Sequence, residues 1–456
     1  MAPLIQSLRS ICIFFFLTAS LPVVFADSVA TDDFVKTLSA IAVLPSVQDR
    51  SPAPITDEAQ KLYEKYQRAV YQIRVIDLSS GKKSVIGSGF QFTLQGHIAT
   101  NFHVVSEAVH APKRFKVEFL RFDGTVGELD IKAIDVVHDL AILQTKDGYS
   151  QFLEFGVSEF PKGTRIFSMG NPHDLGMSIV EGTYNGLLEK SLYRKIHFSG
   201  SLNGGMSGGP ALDYNGHVIG VNVSTYGNQL SFLVPVDYLK ELYASIKNIQ
   251  GKSGAVSNWS EVIQNQLIDN QKGLIDGLVG TSWEMLPIGN AAVPGEMSDL
   301  FKCWGDSKDD GEELYQWTSL RCSSQDDIFI ANDLRTGQVT YNYIWVKSKG
   351  LNTFRFYRVY EYWFSQPFGF ENAKEEDVKN FKCETGFVNI SGEHWKAILC
   401  ARQYKKFPRL YDVNLNLASV DHYKKGLLAE MVALGVTQEK SQVLIRKFME
   451  SIRWKK

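Results

Sequence analysis

From Tyr71 to about Pro235 the chain is a series of short β-branched and aromatic runs separated by glycine: YQIRVIDL, GSGFQFTL, HIATNFHVV, RFKVEFL, HDLAILQT, RIFSMG, GHVIGVNV and LSFLVP. Many short strands with glycine turns predict a β-sandwich or a β-barrel domain. Ahead of it, Thr56 or Asp57 is placed to cap a helix running through EAQKLYEKYQRAV. Asp33 to Leu44 has the pattern of a short amphipathic helix, which Pro45, Pro52 and Pro54 then break. After Pro235 the period turns helical, in DYLKELYASIKNI and in SNWSEVIQNQLIDNQKGLIDGL, with Gly251-Lys252-Ser253-Gly254 as a linker. The last part, about 280–456, is rich in aromatics. There YNYIWV and FRFYRVYEYWF read as strands. KKGLLAEMVALGV and QEKSQVLIRKFMESI read as a closing amphipathic helix or helix pair.

The length of 456 residues is enough for more than one domain. A formal net charge of −2 supplies no basic surplus for nucleic acid, which removes that class of partner. The N-terminus has the layout of an export signal: Arg9, an apolar run beginning ICIFFFL, and small residues at the −3 and −1 positions of a cleavage site after Ala26. Thr18, Ser20 and Pro22 interrupt the apolar run, which argues against a membrane anchor needing ~20 apolar residues. The expected compartment is therefore extracytoplasmic, periplasmic or secreted.

Of five cysteines, Cys12 leaves with the signal, and Cys303, Cys322, Cys383 and Cys400 remain. An even set in an exported chain predicts disulfides, and the spacing lacks the close pairs of a zinc site. Phe301-Lys302-Cys303 recurs as Phe381-Lys382-Cys383, and Trp317 and Trp395 each stand five before a cysteine. This weak repeat predicts two hairpins with local bridges, Cys303–Cys322 and Cys383–Cys400.

Three motifs carry candidate chemistry. GGMSGGP, Gly204 to Pro210, would expose Ser207 on a tight turn and free the N–H groups of Gly205 and Ser207 toward one cavity. HIATNFHVV ends an apolar strand just before His103, and VVHDLAIL places Asp139 ahead of another. Each alone is an ordinary turn serine, core histidine or turn aspartate. Together they place His, Asp and Ser in that chain order within one strand-rich segment, a more specific signal than any one of them.

The set resembles the trypsin-like serine proteases, in particular their HtrA/Deg branch, over roughly 65–245. GSGFQF, HIATNFHVV, HDLAIL, FSMGNP, SLNGGMSGGPAL, NGHVIGVNV and FLVPVDYL occur in that branch's order. The resemblance implies two six-stranded antiparallel β-barrels of chymotrypsin type, followed here by a separate α+β C-terminal domain. It implies His103, Asp139 and Ser207 as the triad and Gly205 and Ser207 as the oxyanion hole. Val223, Ser224 and Thr225 would be a strand edge for substrate backbone, and Ser201 would lie near the specificity pocket. Protein or peptide substrates are implied, and no cofactor or metal. An oligomer is compatible with it.

Departures from the branch matter. Met206 stands where Asn or Asp is usual, so activation through a salt bridge from a new N-terminus is not expected. Ser201 is not acidic, which favours cleavage after uncharged residues. No PDZ domain is recognisable, and 280–456 resembles nothing nameable. The expected organisation is a signal at 1–26, a helical extension at 27–64, the protease domain at 65–248, a helical linker at 249–279 and the disulfide-containing domain at 280–456. The expected function is an exported serine endopeptidase acting on unfolded or extended chains. The competing reading is a catalytically weak, protease-like binding protein whose C-terminal domain recognises a protein or cell-wall partner.

Overall fold

The glycine-punctuated runs close into two barrels and do not stack as a sandwich. The computed structural model describes residues 57–146, 151–225, 230–249, 258–309, 311, 313–365 and 373–454. The expected export signal, the Asp33–Leu44 helix and the Gly251–Gly254 linker lie outside them. Helix α1 (Asp57–Tyr66) leads into β1 (Val70–Asp77), β2 (Lys82–Gln91) and β3 (His97–Thr100). Helix α2 (Phe102–His110) then precedes β4 (Phe115–Leu120), β5 (Val126–Asp135) and β6 (Leu140–Gln144). These strands form a closed barrel in the order β1-β2-β3-β6-β5-β4. The second barrel uses β7 (Arg165–Gly170), β8 (Ser178–Leu187), β9 (Ile196–Phe198), β10 (Pro210–Leu212), β11 (Val218–Thr225) and β12 (Ser231–Pro235). Its order is β10-β11-β12-β9-β8-β7. This is the chymotrypsin-like pair of six-stranded antiparallel barrels, and closure leaves neither barrel an open sheet edge.

Helices α3 (Val236–Ile249) and α4 (Trp259–Gly280) lead to a different architecture. Strands β13 (Met285–Ile288) and β14 (Ala291–Pro294) begin a small sheet that the last strand completes. The main sheet has seven antiparallel strands, drawn from β15 (Phe301–Lys308), β16 (Tyr315–Ser324), β19 (Val339–Ser348), β20 (Lys382–Ile390), β21 (Glu393–Gln403), β22 (Tyr411–Ser419) and β23 (Lys425–Val436). The order is β15-β16-β19-β23-β22-β21-β20. A separate hairpin, β17 (Ile328–Ala331) and β18 (Leu334–Thr336), is inserted between β16 and β19. Helix α5 (Thr353–Ser365) follows β19, and α6 (Gln438–Ser451) and β24 (Arg453–Trp454) end the described chain.

Strand alternation gives this sheet two apolar faces. Tyr341, Tyr343 and Trp345 of β19 pack with Leu274 and Leu278 of α4 and Leu444 and Phe448 of α6. Ile344 and Val346 point the other way, onto Phe356 and Tyr360 of α5. Two sequence expectations are corrected here. FRFYRVYEYWF is helix α5 and not a strand: Phe356 and Tyr360, four apart, fall on one helical face and are both buried. KKGLLAEMVALGV is strand β23 and not a helix. It lies at the sheet centre, buried on both faces, where a strand loses its period of two. QEKSQVLIRKFMES is helical as expected, with Thr437 accepting from the Lys440 N–H at its start.

The two local bridges are present. Cys303 is bonded to Cys322 and Cys383 to Cys400. Each pair sits in register across a hairpin, β15–β16 and β20–β21, at opposite edges of the seven-stranded sheet. No described helix is long and apolar enough to cross a membrane.

Candidate functional site

Asp139 sits in the turn between β5 and β6 with φ 55°, in the left-handed region that Asp tolerates better than most residues. That turn aims the carboxylate at the first turn of α2. One oxygen accepts from the His103 backbone N–H at 2.8 Å, and the other meets His103 Nδ1 at 2.6 Å. From the cap position of α2, the Asn101 side chain donates to the Asp139 backbone carbonyl at 2.8 Å. An ionised carboxylate only accepts, so Nδ1 carries the proton, and in the neutral ring Nε2 is the free acceptor.

Burial is the largest single influence on His103 and opposes its charged form. The Asp139 carboxylate, through its charge and its hydrogen bond, outweighs burial and raises the pKa above the ordinary histidine value; the Arg335 guanidinium pulls weakly back.

Ser207 lies in the turn between β9 and β10. Gly205 and Gly208 around it have φ 94° and 86°. A Cβ on Gly208 would lie 2.2 Å from the Ser88 carbonyl, and one on Gly205 would lie 2.4 Å from the Asn171 carbonyl. Only glycine fits this turn at these two places. The Ser207 hydroxyl donates to the Val223 carbonyl at 3.3 Å. It makes no hydrogen bond to His103 among the described residues.

The carbonyls flanking the loop are tied back. His173 N–H donates to Gly204 O at 2.7 Å. Gly209 N–H and Asn222 Nδ2 donate to Met206 O at 3.1 and 3.2 Å. In a planar trans peptide the N–H points opposite its C=O. The N–H groups of Gly205 and Ser207 therefore face away from these anchors, and neither donates to a backbone acceptor among the described residues.

Three side chains that sequence reasoning passed over hold the site, two of them acting on this loop. Ser88 accepts from the Asn171 N–H at 2.9 Å and donates to Gly205 O at 2.7 Å, while its own N–H donates to Ser207 O at 2.7 Å. Asn222 bonds Met169 O and Met206 O and accepts from Ser168 Oγ. Asn101 clamps Asp139 as described. All three are buried and polar, and such groups need partners. The signal available was their place inside the motifs, in GSGF, ATNFH and GVNV.

The other expected residues are less gathered. Met206 is buried in the second barrel's core. Val223, Ser224 and Thr225 lie on β11, where Ser224 and Thr225 pair with Phe232 and Ser231 of β12 and Val223 sits at a break in register. On its other side, β11 runs past β10, whose last pairing is Pro210 with Val221. Ser201 is exposed and does not border the cleft beside His103. His138 is engaged elsewhere, bonded to Asp135 at 2.7 Å and stacked on Tyr238 at 3.6 Å.

Residues 87–221 match the trypsin-like peptidase domain family. Protease Do-like 5, chloroplastic, of Arabidopsis thaliana is 30% identical over 210 residues, covering 39% of this chain and 65% of that protein. Serine protease HTRA2, mitochondrial, of Bos taurus is 30% identical over 217 residues, covering 44% of this chain and 46% of that protein. The chain thus spans less than two thirds of either relative's length. The crystal structure of Deg5 is 30% identical, with a TM-score of 0.35, covering 40% of this chain and 91% of that one. Residues 87–221 include the His103, Asp139 and Ser207 motifs and all of β3 to β10. The chain carries a trypsin-like serine-protease domain of the HtrA type.

Proposed function

We propose that this chain is an active serine endopeptidase in which Ser207 attacks the scissile carbonyl of an extended protein segment. His103 Nε2 takes the hydroxyl proton as the C–O bond forms, and the carbonyl π electrons move onto oxygen. The Gly205 and Ser207 N–H groups stabilise that oxyanion. Collapse of the intermediate breaks the C–N bond, and His103 gives its proton to the leaving amine. Water then repeats the sequence to release the acyl group. Asp139 fixes the imidazole tautomer and stabilises the imidazolium.

The observation that carries the reading is the double contact of the Asp139 carboxylate on His103, at Nδ1 and at the backbone N–H. The Ser207 hydroxyl must rotate from the Val223 carbonyl to reach the base. Such contacts tighten when substrate binds. Strand β11 runs on past its last pairing with β10 at Val221, which supports substrate backbone pairing at Val223 to Thr225. Export is supported by the leader-like N-terminus and by two disulfides, which persist in oxidising compartments.

The test is labelling by a fluorophosphonate probe together with casein cleavage. Wild type is expected to label at Ser207, and Ser207→Ala to lose both label and turnover, by up to roughly 10⁶-fold. A Ser207→Ala protein that cuts at the wild-type rate ends this assignment. The resting Ser207–Val223 bond is what favours the competing reading, a protease-like binding protein, and an unlabelled but folded wild type would support it.

A further inference from the structure

The β17–β18 hairpin comes from the C-terminal region but is seated on the first barrel. Ile328, Ile330 and Leu334 are buried in one apolar cluster with Phe102, Val105 and Val109 of α2. His110 Nε2 meets the Ile330 carbonyl at 2.8 Å, and Asn332 donates to Glu107 at 3.3 Å. At the base of the hairpin, the Asp326 carboxylate accepts from Ser191 Oγ, Leu192 N–H and Lys195 Nζ at 2.9, 2.7 and 2.7 Å. The hairpin is thus held by α2 at its tip and by the β8–β9 connection at its base.

Along β17 Ile328 and Ile330 are fully buried, while Phe329 is only partly buried against the same cluster. The Phe329 ring lies edge-on to the His103 ring, with centroids 6.0 Å apart. Beside this ring pair opens a cleft of about 400 Å³, inside the roughly 300–1,000 Å³ range of ligand pockets. His103, Val137 and Asp139 line it from the first barrel, Tyr193 from the β8–β9 connection, and Phe329 and Arg335 from the hairpin.

The charges along this cleft are already matched. Arg335 pairs with Asp327 at 2.8 Å, Lys195 with Asp326 at 2.7 Å, and Arg194 with Glu159. A charged substrate side chain entering here would shed water without a dedicated partner, which is costly. An apolar one would lie between the valine side and Phe329. Residues of an extended chain are spaced roughly 3.3–3.6 Å apart, so a wall 6.0 Å from the His103 ring faces a side chain within about two residues of the scissile bond.

The geometry points to the β17–β18 hairpin as a specificity element of the protease site, with Phe329 forming one wall of a subsite for an uncharged, apolar substrate side chain adjacent to the scissile bond. This rests on the peptidase reading above. It gives the C-terminal region a direct part in substrate choice, with half of the subsite supplied from each region.

The test uses the full chain and a quenched-peptide library varied one position at a time around the cut. Wild type, Phe329→Ala, Phe329→Leu and Phe329→Trp are compared, with Phe387→Ala on β20, away from the site, as the control. Wild type should prefer Leu, Val or Phe over Ser, Lys and Glu at one position within two residues of the bond. In Phe329→Ala that preference in kcat/KM should fall by about 10-fold or more, the order expected for lost apolar contact in a pocket. Phe329→Leu should keep most of it, and Phe329→Trp should move it toward smaller side chains. Profiles at the other positions should follow the Phe387→Ala control. Should Phe329→Leu and Phe329→Trp keep the wild-type profile at every position, or should all positions change together, the subsite is refuted while the peptidase reading stands. Failure of wild type to label at Ser207 refutes the peptidase reading, and the subsite with it.

Discussion

The two barrels and the seven-stranded sheet solve different problems with different residues. In the barrels the loop around Ser207 and the Asp139 turn are pinned by small buried polar groups: Ser88 reaches two backbone segments, Asn222 reaches two carbonyls, and Asn101 reaches Asp139. In the sheet the interior is filled by large rings, Tyr341, Tyr343, Trp345, Trp395 and Phe448, and the outer hairpins are closed by covalent bonds. One region fixes directions, the other fills volume. Damage should therefore read out differently, as lost turnover in the first and lost stability in the second.

The sharpest test of that contrast is Asp139→Asn. Asn tolerates the left-handed backbone that Asp139 adopts, and its carbonyl oxygen can still accept from the His103 N–H. Its amide would donate to Nδ1, which drives the imidazole proton onto Nε2 and leaves no base for Ser207. The expected loss in kcat is about 10⁴-fold with the fold intact. Circular dichroism and steady-state kinetics check it together. A protein that unfolds would instead place Asp139 among the structural supports.

The opposite behaviour is expected of the edge hairpins. Each disulfide closes a short loop, with sequence separations of 19 and 17 residues. Replacing Cys303 and Cys322, or Cys383 and Cys400, by serine pairs should cost about 3 kcal/mol each in the chain-entropy account. Denaturant titration measures that cost, and probe labelling at Ser207 should persist in both variants. The Cys303–Cys322 bridge has the nearer route to the site, because β16 runs on through Asp326 into the hairpin. If that pair weakens peptide selectivity while the other does not, the coupling between the two regions is local to β16–β17.

The same contrast explains what the sequence could and could not show. Glycines demanded by close approaches, and a histidine, an aspartate and a serine in fixed order, are local signals, so the barrels and the candidate site positions His103, Asp139 and Ser207 could be read. So were the bridges, since the Phe-Lys-Cys repeat lies on two equivalent hairpins. Strand β23 was misread because a central strand buried on both faces carries no alternation. Helix α5 was misread because its aromatics favour strands by propensity while their four-residue spacing buries one helical face. Ser88 and Asn222 gave no separate signal, because what they hold is defined only by the folded loop. The hairpin at Ile328 to Thr336 went unread for the same reason: nothing in IFIA tells that it meets α2 more than 200 residues earlier.

The smallest expected effect probes the seam where the two regions meet. His103 is acted on by burial, which opposes its charge, by Asp139 from the β5–β6 turn, which favours it and wins, and by Arg335 from the hairpin, which opposes it. Its pKa is thus raised above the ordinary histidine value. A base must be neutral to work, so kcat/KM should climb as pH rises through that raised value. The stability linkage runs the other way: the His103–Asp139 pairing contributes fully below the unfolded-state histidine pKa and is lost as pH rises through the folded one. Arg335→Gln removes a cation that disfavours the imidazolium and also leaves the Asp327 carboxylate without its partner. Both changes favour the charged ring, so the acid limb of kcat/KM should move to higher pH. Arg335→Lys should leave the limb near its wild-type position, and added salt should shrink the difference because the charge acts through partly solvated space. The pH profile of each variant on one peptide decides it. A limb that stays put in Arg335→Gln, or moves to lower pH, would mean that the hairpin shapes the cleft without touching the electrostatics of the base.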